Sequence, residues 1–291
     1  FFDGRTWKPA FDAGLPQKQT ARPALLHYTL TLEAHRQRWL LALEQGVAEP
    51  GQILDRDGVL LAQTPINTRQ RLRIASRPNE RIADELPERL KRTLHLPSGF
   101  NPRTLALGQK IRSKHPQVED RLTAALTVLR TGDYLYTLTP PLLGRNSVDE
   151  FLFDTRKGFC EHFASAFAVL MRATGIPARV VTGYMGGEIN PVDRTLVVRQ
   201  SDAHAWTEVW LEGKGWLRVD PTAIAAPRRI DAGMVAALPN TDALPVIARL
   251  NWPLIHSLRN RLEAAGHAWN IWVLGYNAQR QKDPRSGGPR P

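Results

Sequence analysis

Residues 151–187, FLFDTRKGFCEHFASAFAVLMRATGIPARVVTGYMGG, and residues 198–222, VRQSDAHAWTEVWLEGKGWLRVDPT, decide how the chain is read. They hold the single cysteine, Cys160, and then place His204 and Asp220 on two successive strand-like runs. A thiol, an imidazole and a carboxylate supply a nucleophile, its base and the group that orients the base.

Each part has a local reason to lie where it does. Cys160 follows Gly158-Phe159 and opens a segment with Phe163, Phe167, Leu170 and Met171 at the spacing of one helix face. Gly175 and Pro177 stop that helix. A cysteine in the first turn meets the positive end of the helix dipole, which favours the nucleophilic thiolate.

Beyond the helix, residues 179–184 and 196–199 read as β, and residues 203–211 alternate so that His204, Trp206, Glu208 and Trp210 share one face. Glu212-Gly213-Lys214-Gly215 turns the chain, and residues 216–220 return as the second arm of a hairpin, with Trp216, Arg218 and Asp220 on one face. A connecting loop of odd length sets Asp220 opposite Trp206 and diagonal to His204. Diagonal neighbours stand about 7–8 Å apart, within reach of an imidazole and a carboxylate. Pro221 ends the strand.

Two rival readings use neighbouring residues. His162 could serve as the base, but two positions along a helix put it on the far side from Cys160. Ser201, Asp202 and His204 suggest a serine triad, yet neighbours on a strand alternate faces and do not converge. The tryptophans at 206, 210 and 216 read as core and cleft wall.

The motifs GFCEHFASAF, GIPARVVTGY, DAHAWTEVW and GWLRVDPT resemble, in order and spacing, the transglutaminase-like branch of the papain-type thiol enzymes. More narrowly, the chain is similar to bacterial membrane-anchored transglutaminase-like proteins whose soluble domain faces the periplasm. The resemblance is dense over residues 101–229. It implies an α+β fold, with a nucleophile helix packed on an antiparallel sheet, preceded here by a small N-terminal β domain. It also implies Cys160 as nucleophile, His204 as general base and acid, and Asp220 as orienter of the imidazole. The oxyanion of acyl transfer needs donors, one of them the backbone N–H of Cys160. In the wider family an upstream side chain supplies the second, and Tyr136 is the candidate here, with Tyr134 behind it. A tyrosine packed beneath the cleft is the competing reading of both.

The rest of the chain is consistent with a two-domain globular protein: 291 residues, 42% hydrophobic and 23% charged. Residues 1–22 read as an extended arm, 23–98 as a small β-rich domain and linker, and 99–230 as the catalytic domain. Residues 231–291 read as a connector, an amphipathic helix over 250–276 and a basic tail without structure. In the β domain, Leu26, Tyr28, Leu30 and Leu32 alternate with polar residues, 39–43 and 52–62 continue the pattern with Asp57-Gly58 as a turn, and 68–76 ends it. Helices are expected within 78–97, from Asn101-Pro102, over 119–131, and as an apolar approach around 148–153. Tyr184–Pro191 is glycine-rich but lacks the Lys-Ser/Thr of a phosphate loop, and reads as a rim loop.

Composition limits the partners. The net charge of +11 is scattered without a nucleic-acid motif, so nucleic acid is not expected; anionic lipid or an acidic envelope polymer suits it better. No histidine or carboxylate cluster has metal-site spacing, and no cofactor is expected. No run approaches the roughly 18 apolar residues of a membrane helix. The chain begins at Phe1 without a signal-type segment and reads as a piece of a longer, membrane-tethered protein of the bacterial inner membrane.

The expected reaction is acyl transfer through a Cys160 thioester. A glutamine of a protein or peptide is the donor and an amine such as lysine the acceptor, giving an isopeptide bond. Water as acceptor would make the same site an amidase or peptidase acting on peptide or cell-wall peptide. A scaffolding module without turnover is the third reading, and it has no need of all three residues.

Overall fold

The computed structural model describes residues 26–55, 57–78 and 85–226. The arm at 1–22, the connector and amphipathic helix expected beyond 230, and the tail lie outside the described residues. The described chain falls into two compact units, one of residues 26–78 with 188–197, the other of 85–187 with 198–226.

In the first unit, β1 (Leu26–Leu32) will pair with the last strand of the same unit. β2 (Gly46–Val47) is short, and β3 (Gln52–Leu54) and β4 (Leu60–Ala62) form a hairpin. Its turn is held by Asp55, whose Oδ1 accepts from the N–H groups of Asp57 and Val59 at 2.9 and 2.8 Å, while Gly58 takes φ +81°. β5 (Gln70–Ser76) pairs antiparallel with β1 from Leu26↔Ser76 to Leu32↔Gln70, and its other side meets β2 only at Ala75 and Ser76. Leu32, Leu40, Leu60, Ile66 and Ile74 make the core. The alternation along β1 is thus resolved as one half-buried face. The strand expected over 39–43 is corrected to a single bridge, Trp39↔Leu61. Among the described residues, its backbone bonds to β4 run only between Arg38 and Ala62 and between Leu40 and Leu60, because β4 is three residues long.

The second unit opens with α1 (Pro87–Leu94), α2 (Pro102–Lys114) and α3 (Val118–Arg130), each beginning where a Pro or an acidic first turn favours it. β6 (Leu135–Tyr136) follows. The approach helix is α4 (Ser147–Asp149) running into a π-helical turn at Glu150–Thr155, and β7 (Lys157–Gly158) then pairs in parallel with β6. α5 (Cys160–Ala173) is apolar on nearly all sides, and Phe163, Ala164, Phe167, Ala168, Leu170 and Met171 are fully buried. An all-round apolar helix belongs in the centre of its unit, and α2, α3, α4 and the sheet surround it.

β8 (Ala178–Tyr184) leads to a small pair in the first unit, β9 (Glu188–Ile189) with β10 (Leu196–Val197), so the expected rim loop carries one strand of a hairpin and the strand expected over 196–199 is the other. β11 (Ala203–Leu211) and β12 (Gly215–Val219) complete the sheet of the second unit, ordered β12-β11-β8 and antiparallel throughout. The fold is α+β. Ala205, Thr207, Val209 and Leu211 face α5, and Thr207 Oγ1 donates to Ala164 O at 2.9 Å. α6 (Pro221–Ala225) closes the described chain. Among the described residues no helix is long and apolar enough to cross a membrane.

Candidate active site

Cys160 is the first residue of α5, and its N-cap, Phe159, has extended backbone (φ −118°, ψ −175°). The approach to that start is narrow. A Cβ on Gly158 would stand 2.7 Å from the Cβ of His162 and 3.0 Å from the Phe151 ring, so only glycine fits. The strand pair β6–β7 fixes this segment from the other side, with Thr137 N–H donating to Gly158 O at 2.9 Å. Cys160 is 8% exposed and clusters with Ala164 and Ala205. Ala205 is the neighbour of His204.

The hairpin register follows the alternation. Leu211 pairs with Gly215 around a three-residue loop, and Thr207 pairs with Val219, so Asp220 comes opposite Trp206. From there its Oδ2 lies 2.7 Å from His204 Nε2. Its Oδ1 accepts from Thr222 N–H at 3.0 Å and Ala223 N–H at 3.3 Å, which makes Asp220 the N-cap of α6. One oxygen therefore holds the imidazole while the other is anchored to a helix end.

The His204 side chain is wholly buried. Burial alone pushes its pKa down, but the hydrogen bond and charge of Asp220 and the neighbouring Cys160 outweigh it and bring it up to about 9. Among the described residues, Nδ1 has no hydrogen-bond partner of ordinary geometry, and it is the ring nitrogen left for the sulfur. Cys160 is nevertheless near enough to stabilise the charged ring. Trp206 stacks beside His204 with centroids 6.4 Å apart, and Arg218 lies 4.2 Å over the Trp206 ring on its own account. The arrangement can hold an imidazolium beside a sulfur, shielded from water, near neutral pH.

The other candidates separate. His162 packs against Phe151 and Phe159, its Nδ1 accepts from Phe159 N–H at 3.4 Å, and burial lowers its pKa. It braces the start of α5. Tyr134 donates its hydroxyl to Leu152 O at 3.1 Å and stacks on Phe151. Tyr136 is 3% exposed and lies parallel to Phe163, 6.4 Å away, beside the Gly158 backbone. Ser201 and Asp202 sit in a 3-10 turn before β11, where Asp202 Oδ2 accepts from Arg199 N–H at 2.8 Å.

Two structural supports escaped the sequence reading. The capping role of Asp220 was signalled by Asp-Pro-Thr, since proline favours the first helical position and aspartate the cap before it. Asp149, 3% exposed, accepts from Thr104 N–H (2.7 Å), Thr104 Oγ1 (2.6 Å) and Arg103 N–H (2.8 Å), and so caps α2 from a distant segment. No local pattern announces that contact.

Residues 105–221 match the transglutaminase-like superfamily model, and residues 1–83 match the TgpA N-terminal domain model. A Pseudomonas aeruginosa protein named protein-glutamine gamma-glutamyltransferase is 38% identical over 96% of this chain and 43% of its own length. Bacillus subtilis YebA, an uncharacterized protein, is 35% identical over 45% of this chain and 19% of its own. The chain spans less than half the length of the curated relatives it matches. The crystal structure of the periplasmic domain of TgpA from Pseudomonas aeruginosa is 42% identical, with a TM-score of 0.73 over 82% of this chain and 84% of that one. Its ethylmercury-bound form gives 0.72 over 79% and 84%. With that extent of identity across both sequences and the family match spanning α5 and the β11–β12 hairpin, the chain belongs to the transglutaminase-like superfamily.

Proposed function

We propose that this chain carries out thiol-dependent acyl transfer as a protein-glutamine gamma-glutamyltransferase, with Cys160 as nucleophile, His204 as acid and base, and Asp220 as orienter. The observation that carries the reading is the buried imidazole, bonded to Asp220 at 2.7 Å and raised to about 9 with Cys160 beside it. A thiolate is the attacking species, and an imidazolium beside it is the acid that the leaving ammonia requires.

The thiolate of Cys160 attacks the γ-carboxamide carbon of glutamine. The C–N bond breaks, His204 gives its proton to the departing ammonia, and a thioester remains. An amine then attacks the thioester, His204 takes the amine proton, and the C–S bond breaks. The products are an isopeptide and the regenerated thiolate–imidazolium pair. The backbone N–H of Cys160 at the start of α5 is one oxyanion donor. Tyr136 is assigned as the second because it lies on the strand paired with Gly158, two residues before Cys160. Replacing Tyr136 with Phe then lowers kcat by about a hundredfold. A change below about threefold would leave that ring a packing role.

Substrates are a protein or peptide carrying glutamine and a primary amine acceptor, and the site works in the periplasm, tethered to the inner membrane by the longer protein. The likeness to the periplasmic domain of TgpA supports that location. The test is incorporation of a biotinylated amine into a glutamine-rich protein. The wild-type chain incorporates it and Cys160→Ala does not. Ammonia release without incorporation, abolished by the same substitution, would instead make the enzyme a hydrolase.

A further inference from the structure

β5 pairs with β1 along its whole length but with β2 only at Ala75 and Ser76, leaving most of its second edge without a strand among the described residues. Arg73 O accepts from Gln52 Nε2 at 2.7 Å, and Arg77 N–H donates to Gln45 O at 3.0 Å on the β2 side. In an antiparallel strand, N–H and C=O of alternate residues point to the same edge. Arg71, Arg73, Ala75 and Arg77 therefore turn their backbone groups away from β1. Among the described residues, Arg73 N–H and both backbone groups of Arg71 have no partner on that edge.

That edge opens into a cavity of about 520 Å³ between β5 and the β3–β4 hairpin. Leu40, Ile66 and Leu72 give it an apolar side, and Arg71 and Arg73 a basic one. Both arginines are exposed and, among the described residues, have no ion-pair partner, whereas Arg69 is held by Glu33 and the lining Glu49 is engaged by His27 at 3.3 Å. The volume falls in the range of small-ligand sites.

We propose that this groove binds an extended peptide segment, alternating apolar and acidic residues, which adds as a strand to the Gln70–Arg73 edge of β5. Unpaired backbone groups repeating every second residue are the complement of a β-strand, and strand addition is an established mode of peptide capture. A strand in register sets its alternate side chains beside Leu72 on one face and beside Arg71 and Arg73 on the other. The first face selects apolar side chains, the second carboxylates.

The test uses the full chain and a fluorescent peptide alternating Val and Glu. Comparators are the Val/Lys counterpart and a Val/Glu peptide N-methylated on the residues facing the edge. The expected result is saturable binding of the Val/Glu peptide with slowed hydrogen exchange at the Arg71 and Arg73 amides. The Val/Lys peptide and the double variant Arg71→Glu/Arg73→Glu bind about tenfold or more weakly. The N-methylated peptide does not bind. Arg71→Pro, which removes an N–H outside the β1 ladder and is tolerated at such an edge, also abolishes binding while leaving the unfolding transition in place. Absence of saturable binding, equal affinity for both peptides, or binding indifferent to Arg71→Pro would overturn the proposal. So would self-association of the chain that Arg71→Pro abolishes, since a second copy would then occupy the edge.

Discussion

Asp220 grips His204 Nε2 with one carboxylate oxygen at 2.7 Å and caps α6 with the other, through Thr222 and Ala223 N–H. The two functions separate by substitution. Asparagine caps a helix about as well as aspartate, but it removes the charge that sustains the imidazolium. Asp220→Asn is expected to lower kcat/KM by about a thousandfold, with little change in unfolding midpoint above pH 9, where His204 has already lost its proton. Asp220→Ala loses the same activity and about 1 kcal/mol of stability as well. Activity assays paired with urea denaturation of both variants check this.

The raised pKa of His204 predicts the pH dependence. The imidazolium persists as pH rises until about 9, so kcat/KM falls on the alkaline side as His204 loses its proton there. Asp220→Asn moves that limb towards lower pH, because the hydrogen bond and charge of Asp220 are what hold it up. For stability the sign is the same. A pKa raised on folding contributes stability that is fully present below the ordinary histidine value of about 6.5 and lost as pH rises through about 9. Denaturation at pH 6 and pH 9.5 should show the loss in the wild type, and a smaller loss in Asp220→Asn.

Asp149 is expected to matter more for folding than its sequence context suggests. Asp149→Ala strands the buried Thr104 hydroxyl and the first N–H groups of α2, costing about 3 kcal/mol. Asp154→Ala removes only a half-exposed pair with Arg103, 2.8 Å long, and costs about 0.5 kcal/mol. Equilibrium unfolding of the two variants side by side distinguishes them.

Gly158→Ala forces a methyl into the His162 side chain and the Phe151 ring. The start of α5 must shift, and Cys160 with it. Amine incorporation should fall at least tenfold, consistent with the sensitivity of catalysis to displacements near 1 Å. Full activity would mean that the first turn of α5 tolerates movement.

The hairpin register was legible because it follows from alternation and one loop length: Leu211 and Gly215 fix every pair up to Thr207 and Val219. The helix at Cys160 was legible from Phe163, Phe167, Leu170 and Met171, although its burial proved to be all-round, since alanines and Val169 fill the remaining faces. Residues 39–43 misled because an apolar run says nothing of whether a partner strand is long enough to receive it. The Asp149 cap and the free edge of β5 depend on segments distant in sequence, which periodicity does not encode.

The most direct measurement is intact-mass analysis of the chain incubated with a glutamine peptide and quenched in acid. The account predicts an adduct on Cys160 equal to the peptide minus ammonia, released by hydroxylamine and absent from Cys160→Ala. Formation of neither adduct nor product, with Cys160 still readily alkylated at neutral pH, would contradict it.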